Sequence, residues 1–271
     1  MTKKKNTRSF MSRWLLWAAI AGAVGCGLVA GGGFYVWRHI YRPHVDIDTI
    51  RYPVLGIDVS KHNGDIDFQK VAGSHVRFVM IKATEGSQLK DNRFATNYSN
   101  ARQAGLTVGA YHYFRFDVDG TDQANHFVAS LKDHKLDLPL VIDVEDWGNA
   151  KGVATNIVIS RLDAMIARLK ELGLRVMIYT NQDGYRKYIS KSFADELLWL
   201  CAFKQPEDIA CDWKFLQYSH WGSVAGIDTD VDLNVFSGSE EEWQLLLNGY
   251  FDNYDGLTGL SNTCFAPRSF S

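Results

Sequence analysis

Residues 140–147 read LVIDVEDW. Leu140, Val141, Ile142 and Val144 are the residues of a buried strand, and two carboxylates, Asp143 and Glu145, interrupt them. On a strand, residues i and i+2 face the same side, so both acids are expected on one cavity with Cα atoms about 6.6 Å apart. Burying two acids side by side is costly unless they are partnered or used. A bare D-x-E also fits a strand end running into a polar loop. The surrounding chain has to decide between the two.

Outward from this stretch, short apolar segments alternate with amphipathic ones. Strands are expected at 54–59, 78–82, 108–114, 138–144, 175–180, 197–202, 214–218 and 231–235. The clearest helix is 155–172. There Ile157, Leu162, Met165, Ile166, Leu169 and Leu172 form a stripe at helical spacing, and Gly173 supplies the stop. Ala124, Phe127, Val128 and Leu131 form a second stripe. Helices thin out after Asp195 while strands continue. Ser239-x-x-Glu242 is a capping box that opens a last short helix over about 240–248. Eight strands in this alternation predict an α/β fold, a TIM-like barrel with five βα units followed by three strands with few helices.

Reactive groups in such a barrel gather at the C-terminal ends of its strands. Asp58 falls near the end of the first strand, Asp143 and Glu145 end the fourth, and Asp230 and Asp232 lie on the eighth. First and eighth strands are neighbours in a closed barrel, and the fourth lies across the mouth. Independent segments thus deliver at least four carboxylates to one rim. Aromatic residues share it: Tyr111 and Tyr113 on the third strand, then Tyr179, Trp199, Trp213 and Tyr218 at or near later strand ends. Acids in a cleft lined by aromatic rings suit glycoside hydrolysis. His112 alternates with the two tyrosines and is expected to pack on the opposite face.

Charge divides the chain. Its 271 residues carry 29 basic and 31 acidic side chains, a net −2. Seven of the basic residues precede Pro43 and no acidic residue does, which leaves the remainder 22 against 31, or −9. An acidic domain is a poor nucleic-acid binder. Residues 14–37 contain no charge. As a helix this segment would be about 36 Å long, enough to span a bilayer, with Trp14, Trp17, Tyr35 and Trp37 near its ends. The basic residues before it predict a cytoplasmic N-terminus, and so a single-pass signal-anchor in the cell membrane with the domain on its outer (periplasmic or extracellular) side. Cleavage after Val29-Ala30-Gly31, or lipoprotein processing at Cys26, are the competing readings. Gly25-x-Gly27-x-x-Ala30 mimics a dinucleotide fingerprint but lacks the strand that must precede it. Ala23, Gly27 and Gly31 form a small-residue ridge suited to weak helix-mediated dimerisation. The expected organisation is a basic tail at 1–13, the span at 14–37, a polar linker at 38–53, the barrel at 54–250 and a tail at 251–271.

The segments GIDVSKHNGDIDF (56–68), KATEG (82–86), GAYHYF (109–114), PLVIDVE (139–145), QYS (217–219) and VDLNVF (231–236), in that order, resemble glycoside hydrolase family 25. The resemblance covers about two thirds of the chain. It implies a (β/α)5(β)3 barrel and a lysozyme of the N-acetylmuramidase type. Such an enzyme cuts the β-1,4 bond between N-acetylmuramic acid and N-acetylglucosamine, so its partner is the peptidoglycan glycan strand. It makes Glu145 the general acid/base and Asp143 its partner, with Asp58 and Asp232 as supporting carboxylates. Lys82, Gln217 and Asn234 stand in the shared motifs and join Tyr111, Tyr113, Tyr179, Trp199 and Tyr218 as substrate-binding candidates. No cofactor and no metal is implied. Glu145 is expected to hold a proton with Asp143's help, and the substrate's own 2-acetamido group to attack the anomeric carbon. Cys201 and Cys211 close a short loop and could pair in an oxidising compartment. Two other readings stay open. A chitinase-like hexosaminidase would need acids at the positions of Leu138 and Val141, and a non-catalytic peptidoglycan-binding protein would be expected to lack Asp143 or Glu145.

Overall fold

A computed structural model describes residues 45–131 and 134–248, together with the helical positions Gly27, Val29, Gly32 and Gly33. The tail at 1–13, most of the span at 14–37 and the tail at 251–271 lie outside the described residues, as do Cys26 and Cys264. Among the described residues no helix is long and apolar enough to cross a membrane.

All eight expected strands are present: β1 (Leu55–Val59), β2 (Val76–Glu85), β4 (Thr107–Tyr113), β5 (Leu140–Asp143), β6 (Val176–Asn181), β7 (Leu197–Cys201), β8 (Phe215–Gly222) and β9 (Val231–Phe236). A two-residue strand, β3 (Leu89–Lys90), adds a hairpin to β2. The sheet order is β1-β9-β8-β7-β6-β5-β4-β2-β3, and β1 also pairs with β2, which closes an eight-stranded barrel. Seven of its strands run parallel. The last, β9, is antiparallel to both of its neighbours, β8 and β1. The rim that holds the C-terminal ends of the other strands therefore holds the N-terminal end of β9.

Helices α1 (Phe68–Ala72), α2 (Phe94–Gln103), α3 (Gly120–Leu131) and α4 (Thr155–Glu171) follow β1, β2, β4 and β5. The apolar stripe of α4 buries Val158, Leu162, Met165, Ile166 and Leu169, while Ile157 stays exposed. Gly120 lets the start of α3 touch α4: a Cβ there would lie 1.8 Å from the carbonyl oxygen of Arg161. The fifth unit is less regular than its sequence implies, since β6 is followed by a helical turn that passes into a π turn over Tyr185–Ile189. After it the outward residues of the last strands, Leu198, Leu200, Leu216 and Val235, are covered by no regular α-helix among the described residues, only by Tyr185 of the π turn and by loop residues. Ile47 and Tyr52 pack there instead, with Trp213 and Tyr218. Residues 45–53 therefore belong with the barrel rather than to a free linker, because that apolar face must be kept from water.

The lower half of the barrel is filled by rings. Phe78, Phe215, Phe236 and Trp243 lie with centroids 5.2–5.5 Å apart around most of the quartet. Trp243 comes from α5 (Glu240–Leu247), which opens on the Ser239/Glu242 capping box. Each such pair contributes about 0.5–1.5 kcal/mol beyond area burial. The packed floor leaves polar groups room only at the opposite rim. His112 faces outward as expected, fully buried, with Nδ1 2.8 Å from Thr84 Oγ1 and Nε2 3.1 Å from Gln123 Oε1.

Candidate active site

Asp58, on β1, is directly opposite Asp232 on β9 in the antiparallel ladder. Asp232 is the second residue of its strand. Only the reversed direction of β9 places it at the rim; in a parallel eighth strand it would sit at the packed end. Asp230, the other acid considered for this position, precedes the strand, and its backbone carbonyl accepts a bond from Asn63 Nδ2.

One oxygen of Asp58 organises the floor of the site. Its Oδ2 accepts Gln217 Nε2 at 2.8 Å and Asn234 Nδ2 at 2.7 Å. Trp199 Nε1 donates to Asn234 Oδ1 at 2.8 Å, and Tyr179 OH donates to Gln217 Oε1 at 2.7 Å. His220 Nε2 lies 2.8 Å from that same Gln217 oxygen. These bonds change the reading of several candidates. Trp199 is 2% exposed and Asn234 0%, so neither offers a face to a sugar. Tyr179 and Gln217 are buried in the same layer. All four hold the acids from beneath. Tyr218 is not part of the cluster: it packs on the outer face with Leu216 and Val235, as does Trp213.

On the other side of the mouth β5 stops at Asp143, and Glu145 stands just beyond the strand rather than on it. Asn149 holds this turn. Its Nδ2 donates to the carbonyls of Glu145 at 2.8 Å and Phe114 at 2.9 Å, while its Oδ1 accepts the Phe116 amide at 2.8 Å. Arg115 Nη1 donates to the Gly148 carbonyl at 3.0 Å, and Tyr113 OH to the Trp147 carbonyl. Lys82 Nζ pairs with Glu85 at 2.9 Å and lies 4.6 Å over the Tyr113 ring. Tyr111 meets Trp199 edge to face, with centroids 6.4 Å apart. Asn181, at the end of β6, hydrogen-bonds Glu145. Asn149 and Asn181 are not singled out by the sequence. The strand-end rule that nominates the acids would also nominate Asn181, whereas Asn149 carries no such signal. Trp147 was also passed over, though it is 81% exposed two residues after Glu145.

Burial dominates the proton affinities. It raises Asp58, while bonds from Asn234, Gln217 and Asp232 pull it back toward the ionised form. Asp232 is pushed up to about 9 by burial first, then by the Asp58 charge and their shared hydrogen bond. Asp58 is thus the anion of this pair and Asp232 the proton donor. Glu145 is raised to about 7 by burial and then by the Asp58 charge, with the Asn181 bond opposing. Asp143 is raised well above the ordinary carboxylate range, by burial and then by the Glu145 charge, with Lys82 opposing. Burial thus raises both carboxyls of this pair toward the protonated form. Asp143 Oδ1 is buried with no hydrogen-bond partner.

Cys201 and Cys211 are separate thiols. Cys201 points into the barrel with Tyr179 and Trp199, whereas Cys211 packs on the outer face. The sheet between those faces prevents the pairing that the short loop suggested.

A closed α/β barrel with paired acids at one rim defines a class of sugar-cleaving enzymes, and the comparisons narrow it. Residues 57–227 match the family model "Glycosyl hydrolases family 25". Lysozyme M1 of Streptomyces globisporus is 34% identical over 212 residues, 72% of this chain and 71% of that protein. The Escherichia coli K12 protein YegX is 35% identical over 226 residues, 79% of this chain and 82% of its own. The structure of a family 25 glycosyl hydrolase from Bacillus anthracis superposes with a TM-score of 0.68 at 34% identity, covering 76% of this chain and 97% of that one. This chain belongs to glycosyl hydrolases family 25.

Asp232 keeps its proton to about 9 in the fold and loses it near 3.8 when unfolded. Between those values unfolding releases a proton. The contribution is therefore fully present below the unfolded value, falls as pH rises, and is lost above the folded value. Asp232→Asn removes this liability and keeps a donor toward Asp58. Its melting temperature should exceed wild type by about 2–4 °C at about pH 8 and match it within about 1 °C at about pH 4. Equal melting at both pH values would refute the shared proton.

Proposed function

We propose that this chain is a lysozyme of the muramidase type, hydrolysing the β-1,4 bond between N-acetylmuramic acid and N-acetylglucosamine in peptidoglycan. Glu145 acts as general acid/base, and the substrate's 2-acetamido group as nucleophile. The observation that carries this reading is the buried, unpartnered Oδ1 of Asp143, beside a carboxyl group held near 7. A muramic acid in the cleft would donate its amide N–H to the Asp143 carboxyl group. A hydrogen bond to the ionised form lowers the Asp143 pKa, so the proton shared by the pair moves to Glu145. Substrate binding would thereby strengthen the hold of Glu145 on its proton.

The chemistry then follows. The amide carbonyl oxygen attacks the anomeric carbon as the glycosidic C–O bond breaks, and Glu145 delivers its proton to the leaving oxygen. The amide nitrogen becomes positively charged in the resulting ring, and the Asp143 carboxylate offsets that charge. Water then opens the ring at the anomeric carbon, with Glu145 taking its proton back. Asp58 and Asp232 shape the charge around Glu145. Tyr111, Lys82 and the exposed Trp147 are the side chains available to the sugars, whereas Tyr113 is buried and holds the Trp147 carbonyl. The relatives named as lysozymes support this substrate over the chitinase-like alternative, and Leu138 and Val141 lack the acids that alternative needs.

Glu145→Gln should lower kcat by about 10²–10⁴-fold. In the wild type the rate should fall on the alkaline side of about 7, where Glu145 loses its proton. Activity within about twofold of wild type in the folded variant would reject Glu145 as the acid. Mass spectrometry of the fragments should show muramic acid at the reducing end; glucosamine there would reject the bond assignment.

Substrate assistance has its own test. Glycan de-N-acetylated at muramic acid should bind but turn over very slowly, and Asp143→Asn should lower turnover more than binding. Equal rates on both glycans, or a covalent sugar adduct on Asp143 in intact-mass analysis, would replace the amide by a side-chain nucleophile.

The uncharged segment at 14–37 behind its basic flank supports a signal-anchor that holds the domain outside the cell membrane. Full-length protein should fractionate with membranes, and the chain from Pro43 onward should be soluble and active. Recovery of soluble protein with an N-terminus beyond Gly31 would establish cleavage instead.

A further inference from the structure

Asp146, Ala150, Lys151, Gly152 and Val153, on the loop that follows Glu145, line a cavity of about 290 Å³. Phe116 and Tyr188, buried and 5.2 Å apart at their ring centroids, form its apolar floor. Its charged groups are Lys151, Lys187 and Asp146, two cations against one anion. Lys187 Nζ donates to both Asp146 oxygens at 3.0 and 3.1 Å and lies 4.7 Å over the Tyr188 ring. Tyr188 OH donates to Asp146 Oδ1 at 2.6 Å. The Lys187 ammonium is thus engaged by Asp146 and Tyr188 and lines the cavity as a charge rather than as a free donor. Lys151 is exposed and makes no ion pair among the described residues.

We propose that this cavity binds the peptide carried on the lactyl ether of the muramic acid being cleaved, with a free carboxylate of that peptide between Lys151 and Lys187. The inference rests on the muramidase reading and adds a second recognition site to it. Three observations carry it. The first is position. The wall begins at the residue next to Glu145, and Asn149 ties that loop to the Glu145 carbonyl. The second is size. The volume is at the lower end of the ~300–1,000 Å³ typical of small-ligand sites, which suits a few small residues rather than a sugar chain. The third is charge. Two lysines and one aspartate leave +1 facing solvent, while N-acetylglucosamine is neutral and gives such a site nothing to hold. A short peptide with free carboxylates and small apolar side chains matches both the cations and the aromatic floor.

The test uses the full-length protein and peptidoglycan strands before and after an amidase has removed the peptides. Wild type should have a higher kcat/KM on the peptide-bearing strands. Lys151→Glu, which reverses an exposed charge, should reduce that preference by about two- to fivefold, the range of an exposed ion pair. A wild type without preference, or a variant that retains it in full, would overturn the proposal while hydrolysis of the stripped strands leaves the muramidase reading intact. If neither strand is hydrolysed, the muramidase reading fails, and titration of the free peptide into the protein decides the cavity alone. Binding weakened by Lys151→Glu supports it, and no binding overturns it.

Discussion

A single buried carboxylate oxygen, Oδ2 of Asp58, carries much of the site's architecture. It accepts from Gln217 and Asn234, and those amides are in turn fixed by Tyr179 and Trp199. Two strands, β8 and β9, thereby point donors at one atom on β1, and two more, β6 and β7, hold those donors in place. A buried anion needs such donors to be tolerated. Once Asp58 is an anion, Asp232 opposite it must stay protonated and Glu145 across the mouth is raised. The proton inventory of the rim follows from how well one group is solvated by the protein.

The direction of β9 is the geometric condition for this arrangement. Seven parallel strands deliver their C-terminal ends to the rim, and an antiparallel eighth delivers its N-terminal end. An antiparallel neighbour also sets Asp232 directly across from Asp58. Among the described residues the same stretch of the fold has no regular outer α-helix, so residues 45–53 help to cover Leu198, Leu200, Leu216 and Val235. Rim and outer face are shaped by the same departure from regular βα repetition. The packed rings of Phe78, Phe215, Phe236 and Trp243 keep the acids at the open end.

The second half of the site is a loop rather than a strand. Glu145 stands past the end of β5, where a turn locked by Asn149, Arg115 and Tyr113 holds its backbone. A general acid on a fixed turn can keep its geometry while remaining less buried than Asp143. The loop that follows the same acid also supplies Asp146, Ala150, Lys151, Gly152 and Val153 to the lining of the neighbouring cavity.

The strands, the two helical stripes, the terminal capping box and the identity of the acids were legible in the sequence because each rests on local periodicity or on motifs of adjacent residues. Asp58, Asp143, Glu145 and Asp232 could be named for that reason. The side-chain roles of the aromatic and amide candidates were not legible. Trp199, Tyr179, Gln217 and Asn234 lie at strand ends like any substrate-binding residue, and only the closed barrel shows them turned under the acids. Tyr218 alternates with the inward Gln217 and so faces outward with Leu216, while Cys211 packs on the outer face from the loop before β8. Sequence by itself determined the α/β alternation, the acids and the family likeness. Tertiary structure decided which end of β9 meets the rim, which carboxyl keeps the proton and what stands beside the catalytic loop. Those depend on strand direction, depth of burial and contacts between residues far apart in the chain, none of which leaves a local pattern.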